Sequence, residues 1–275
     1  MKPASIGIFD SGVGGLSILR EIRETLPQVP LLYFADQVHV PYGSHPMEEV
    51  HTFAEGISRF LITQGSKLIV VACNTASAAA LHSLRSTFPQ IPFVGMEPAV
   101  KPAALTSRTQ KVGVLATSAT FQGELFASVV ERFAQGVVIV EQTLPGLVEQ
   151  VEKLKLNSPE TRKILTAALG PLLKQGIDTL VLACTHYPFV MPMIEEIAGP
   201  GVQIIDPAPA IARQTQRIWE QLAIPIQPTQ SDLVLYYSTG DPERLVSAAL
   251  QLIQHKGPGI KAKWRGSQIR TGGGD

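Results

Sequence analysis

Three stretches of this chain occur twice, in the same order. Ile6-Gly7-Ile8-Phe9-Asp10-Ser11 resembles Val112-Gly113-Val114-Leu115-Ala116-Thr117, Ala72-Cys73-Asn74-Thr75 resembles Ala183-Cys184-Thr185-His186, and Glu97-Pro98-Ala99 resembles Asp206-Pro207-Ala208. The offsets are 106, 111 and 109 positions, near register over about a hundred residues. Repetition at that period makes the chain two similar units. Each unit is built from short Val/Ile/Leu runs, at 6–9, 31–34, 68–72, 112–116, 137–140, 180–183 and 202–205. Runs without polar alternation, interleaved with helical patterns, indicate parallel sheets covered on both faces.

The expected fold is therefore α/β, with two similar parallel-sheet domains related by pseudo-two-fold symmetry and a cleft between them. Val50, Phe53, Ala54, Ile57, Phe60 and Leu61 form the stripe of an amphipathic helix, and Ser158-Pro159-Glu160 reads as a helix start with Gly176 as its stop. The second unit ends near Asp206. A later helix, a strand at 233–237 and a helix from Pro242 should fold back onto the first unit, giving domains 1–97 plus 210–275 and 98–209. From about Lys261 the chain mixes Lys, Arg, Ser and Gly and reads as a frayed tail.

Composition narrows the function. With 45% hydrophobic and 17% charged residues in 275, the chain is no disordered segment and can bury roughly three quarters of its unfolded surface. Lys plus Arg number 23 and Asp plus Glu 23, so no basic excess points to nucleic acid or an anionic membrane. The longest apolar stretch, Leu68-Ile69-Val70-Val71-Ala72-Cys73, is about a third of the roughly 20 residues that span a bilayer. No signal-peptide pattern precedes Asp10, so the expected location is the cytoplasm. The two cysteines, 111 positions apart, form neither a CxxC pair nor a local metal spacing.

Both cysteines stand where chemistry is expected in α/β sheets, just past the carboxyl end of a strand. A thiol at a helix N-terminus is expected to have a lowered pKa. Facing each other across the cleft, Cys73 and Cys184 would suit inversion of a carbon centre, one thiolate removing a proton while the opposite thiol returns one. A carboxylate substrate would be held by turn N–H groups, by Ser11, Thr75 and Thr185 hydroxyls and by Asn74. For Ser11 and Thr185, helix capping is the competing role. Asp10 is either a cap or a charged group in the cleft, and His186 is its counterpart beside Cys184. The glycine-rich turn at 12–15 is neither a Walker A loop nor a GxGxxG.

Four motifs carry a family resemblance: Phe9-Asp10-Ser11-Gly12-Val13-Gly14-Gly15, Ala35-Asp36 with Pro41-Tyr42-Gly43, Ala72-Cys73-Asn74-Thr75-Ala76-Ser77, and Cys184-Thr185-His186-Tyr187-Pro188. With these, the chain resembles the bacterial glutamate racemases, within the cofactor-independent aspartate/glutamate racemases. The resemblance implies interconversion of L- and D-glutamate for peptidoglycan synthesis, without pyridoxal phosphate or metal, by a homodimer. It implies catalytic thiols at Cys73 and Cys184, the first deprotonating D-glutamate and the second L-glutamate, assisted by Asp10 and His186. Substrate-holding positions are Asp10, Ser11, Tyr42, Gly43, Asn74, Thr75, Thr185 and His186. A further carboxylate helps His186; Glu149 and Glu152 are both available, and spacing to Cys184 favours Glu152. Leu144 and Ala183 depart from the commoner cysteine and glycine of the family. The competing readings are a racemase for aspartate or another small amino acid, a two-lobed binding protein with incidental cysteines, and a thiol redox protein.

Overall fold

The computed structural model describes residues 3–225 and 232–272. Its strands are β1 (Ser5–Asp10), β2 (Leu31–Ala35), β3 (Ser66–Val71), β4 (Phe93–Gly95), β5 (Lys111–Ala116), β6 (Val138–Gln142), β7 (Thr179–Ala183), β8 (Gln203–Ile205), β9 (Val234–Ser238), β10 (Gly259–Arg265) and β11 (Gln268–Thr271). They form two sheets, ordered β11-β10-β9-β2-β1-β3-β4 and β6-β5-β7-β8. Every pairing is parallel except that of β10 with β11. The fold is α/β, and the repeat appears as topology: β2-β1-β3-β4 and β6-β5-β7-β8 share one strand order. β1 and β3 thus correspond to β5 and β7, as the sequence offsets require.

β1, β2 and β7 are buried at every residue, and β3 and β5 at all but one lysine each. Helices on both faces exclude water from these strands, so an alternating pattern would strand polar groups in the core. Met47–Thr63 is the striped helix and turns Val50, Ala54, Ile57, Phe60 and Leu61 into the first sheet. Ser158 caps Pro159–Lys174, its Oγ accepting the Thr161 N–H at 3.1 Å, and Gly176 follows the helix at φ 77°. The chain leaves the first sheet after β4 through helix Val100–Thr106, and returns after β8 through helix Ala208–Gln221, which packs on helix Leu16–Thr25.

Two features differ from the sequence reading. β4 is only three residues long, too short to give a periodic signal. The expected frayed tail is instead a hairpin of β10 and β11, with β10 extending the first sheet beside β9. Ala262 is buried and Trp264 half-buried there, whereas Lys263 and Arg265 point to solvent. Lys263 and Arg265 interrupt the apolar residues and so conceal the strand, which lies between β9 and the edge strand β11. The closing residues 273–275 lie outside the described part. No described helix is long and apolar enough to cross a membrane.

Candidate active site

In a sheet ordered 2-1-3-4, the connections after strands 1 and 3 leave toward opposite faces and open a crevice at their carboxyl ends. Both sheets use it. β1 delivers Asp10 and Ser11, and β3 delivers Cys73 as the N-cap of helix Asn74–Thr87. β5 delivers Thr117 as the N-cap of helix Ser118–Gln122, and β7 delivers Cys184, Thr185 and His186. The four strand ends converge with Pro41, Tyr42, Gly43 and Val148 on one cavity of about 20 Å³. Every substrate-contact residue proposed from sequence lines it. At that size it holds about one water molecule.

Cys184 is buried and begins no helix; a bend precedes the short 3-10 turn Tyr187–Val190. His186 supplies what a helix N-terminus would have. Its Nδ1 lies 3.8 Å from Cys184 Sγ, and its Nε2 donates to Glu152 Oε1 at 2.7 Å. Burial draws the His186 pKa down, but the hydrogen bonds and charges of Cys184 and Glu152 outweigh it and hold the imidazole well above its ordinary value. His186 thus links Cys184 to Glu152. The same Glu152 oxygen accepts the Val13 N–H at 2.8 Å, while Glu149 lines outer cavities of about 300 and 240 Å³. Glu152 is the carboxylate that the fold brings to His186.

The opposite wall has a different balance. Burial and the nearby Asp10 charge push the Cys73 thiol well up, although the Ala76 N–H at the helix start opposes them. The lowered pKa expected for this position is thus reversed, because desolvation exceeds the pull of one helix end. Burial also raises Asp10, against the His186 charge and the Gly15 N–H. Asp10 Oδ2 accepts that N–H at 2.7 Å and so secures the start of helix Leu16–Thr25. Ser11 performs no capping there, nor does Thr185 cap the turn after it. Both hydroxyls are buried in the cavity wall.

Gly12 and Gly14 explain the glycine-rich turn. A Cβ on Gly12 would sit 1.9 Å from Glu152 Oε1, and one on Gly14 would sit 2.4 Å from His186 Nδ1. The glycines admit the His186–Glu152 pair of the other sheet against the turn's backbone. Asn74, buried at the cavity edge, has neither Nδ2 nor Oδ1 hydrogen-bonded, whereas Asp10 is also held to the Cys73 thiol. Leaving buried amide groups unpaired costs stability, and a polar ligand would satisfy them.

Sequence reasoning missed Thr117 and Thr120. The Thr117 hydroxyl lies 3.0 Å from that of Thr75 and 2.9 Å from that of Thr120, joining the two walls. The repeat held the signal, since Thr117 is the counterpart of Ser11. Pro41 and Val148 line the inner cavity and both outer ones, so they stand between the thiols and solvent. Tyr42 turns its hydroxyl away from the cavity and donates to Asp36 Oδ2 at 2.7 Å.

Residues 6–215 match the model of the Asp/Glu/hydantoin racemases. The chain belongs to that family. It is 50% identical over 243 residues to a glutamate racemase of Roseiflexus sp. (strain RS-1), covering 88% of this chain and 89% of that one. It is 47% identical over 245 residues to the glutamate racemase of Pseudomonas aeruginosa, covering 89% and 92%. Among solved structures, a glutamate racemase isoform of Bacillus anthracis superposes with a TM-score of 0.85 at 29% identity, covering 98% of this chain and 100% of the other. The Francisella tularensis glutamate racemase, solved with D-glutamate, superposes at 0.80 and 26% identity, covering 92% and 95%.

Proposed function

We propose that this chain interconverts L- and D-glutamate by two-base proton transfer at Cα, with Cys73 and Cys184 as the exchanging groups. The observation that carries the reading is the placement of two buried thiols in one cavity, each beside a different titratable partner. L-Glutamate would meet Cys184 as the base, with His186 beside it and Cys73 opposite. The Cα proton passes to Cys184 Sγ while the Cys73 thiol delivers its proton to the other face. D-Glutamate would reverse both transfers, Cys73 first passing its thiol proton to the neighbouring Asp10 carboxylate and then taking the Cα proton while the Cys184 thiol delivers its own.

An amino-acid α-proton is far less acidic than a thiol, and each unit of mismatch costs about 1.4 kcal/mol. The developing carbanion must therefore be stabilised by directed donors in a water-poor site. Asn74 Nδ2, the Gly43 N–H and the Ser11, Thr75, Thr117 and Thr185 hydroxyls are the groups read as holding the carboxylates. The lobes read as moving are 1–97 with 210–275 and 98–209. The protein reads as a cytoplasmic homodimer acting on free glutamate, with no nucleic-acid or membrane partner, and supplying D-glutamate for peptidoglycan.

Cys73→Ser and Cys184→Ser test the assignment. Serine keeps the shape but lacks an accessible anion, so each variant should lose at least 10²–10⁴-fold in kcat in both directions, with the fold retained by circular dichroism. Turnover within tenfold of wild type in either variant rejects the two-thiol mechanism.

A further inference from the structure

Asp36 follows β2, is fully buried and belongs to none of the acid–base pairs above. Its two carboxyl oxygens accept four hydrogen bonds. Oδ2 takes the Tyr42 hydroxyl at 2.7 Å and His39 Nδ1 at 2.8 Å, and Oδ1 takes the Thr239 hydroxyl at 2.9 Å and Trp264 Nε1 at 2.8 Å. That saturates the acceptor capacity of a carboxylate. The donors come from the cavity loop, from the end of β9 and from β10. A buried carboxylate relying largely on neutral donors holds its place only while they all stay, because each lost donor leaves an acceptor unsatisfied.

The loop at 36–44 is gripped along its length by the same region. The Val38 N–H donates to the Thr239 hydroxyl at 3.1 Å, and the Ser238 hydroxyl donates to Gln37 Oε1 at 2.6 Å. His39 stacks on Phe53 with ring centroids 4.0 Å apart, and Trp264 lies 5.9 Å from that same ring. At its far end the loop presents Tyr42 and Gly43 to the cavity beside Cys73. Since the Tyr42 hydroxyl is committed to Asp36, the phenol serves as the handle that sets this wall.

We infer that Trp264 of β10 is a positioning residue for the substrate cavity, its indole N–H fixing the Tyr42–Gly43 wall through Asp36. The inference rests on the two-thiol reading of the cavity. Trp264→Phe removes the indole N–H and keeps an aromatic ring. Ile269→Ala, at the position paired with Trp264 in the hairpin, loosens packing without touching Asp36. For Trp264→Phe the expected result is a KM about 3- to 10-fold higher for both enantiomers, with kcat within about threefold of wild type. Ile269→Ala should lower Tm and leave KM unchanged. Tyr42→Phe severs the other end of the same chain, so adding it to Trp264→Phe should raise KM less than the product of the single effects.

A substrate-free readout separates this inference from the functional one. Alkylation of Cys73 by iodoacetamide, followed by peptide mass, should be at least threefold faster in Trp264→Phe than in wild type or Ile269→Ala. Wild type that fails to racemise glutamate overturns the functional reading alone, and the alkylation rates then decide the role of Trp264. Unchanged KM and alkylation in Trp264→Phe, equal effects in Ile269→Ala, or multiplicative effects in the double variant each overturn the inference.

Discussion

At the scale of single residues, the two thiols are distinguished by their neighbours. Asp10 raises a question of stability as well as chemistry. A carboxyl whose folded pKa lies above its unfolded value of about 4 penalises the fold once ionised, so the penalty grows as pH rises through that range. Asp10→Asn keeps an acceptor for the Gly15 N–H and removes the ionisation. At pH 7 its Tm should equal or exceed wild type while kcat falls; a Tm several degrees lower would contradict the assigned burial cost. Gly12→Ala tests the close approach of the walls. Its Cβ would displace the flexible end of Glu152 rather than backbone, so the protein should fold while His186 loses its partner. A misplacement of this size is expected to lower kcat by about 10²-fold, and steady-state kinetics with unchanged Tm would check it. Cys73, Cys184 and His186 were legible from strand-end position alone. The direction of the Cys73 shift was not, because burial and the Asp10 charge belong to the assembled cavity.

At the scale of elements, the parallel strands were legible because burial on both faces removes polar alternation. β10 was not, since it interleaves Lys261, Lys263 and Arg265 with Ile260, Ala262 and Trp264. Asp178, just before β7, shows how a short polar knot sets an element. Its carboxylate accepts the Ser107 hydroxyl at 2.6 Å and the Arg108 and Thr109 N–H groups at 2.7 and 2.9 Å, tying down the approach to β5. Burial alone would raise its pKa, but these donors outweigh it and hold the carboxyl well below the usual range. A depressed carboxyl stabilises above its unfolded value of about 4, and that contribution is lost as pH falls below it. Asp178→Ala should cost about 1–3 kcal/mol at pH 7, and the gap from wild type should narrow below about pH 4. Urea melts at both pH values measure this, and a constant gap would contradict it.

At the scale of the molecule, one α/β unit used twice places two equivalent switch points against a common cavity, which is why the repeat offsets foretold the site. Asp36 stood in one of the four motifs, but its contact with Trp264 escaped notice because 228 positions separate the two and only the assembled first sheet joins them. The cavity around the thiols is narrow, about 20 Å³, and the proposed chemistry calls for walls that part for substrate and close to exclude water. Closure around two opposed proton donors has an isotopic signature. On the two-thiol proposal, the Cys73 thiol in D2O would carry deuterium, whereas the proton taken from L-glutamate would go to Cys184 on the other face. The decisive measurement is the early time course of L-glutamate in D2O, with Cα deuterium read separately in each enantiomer. Deuterium should enter the newly formed D-glutamate nearly stoichiometrically while the recovered L-glutamate keeps its proton. Equal labelling of both enantiomers from the first turnovers, or racemisation without solvent deuterium, would contradict the two-thiol account.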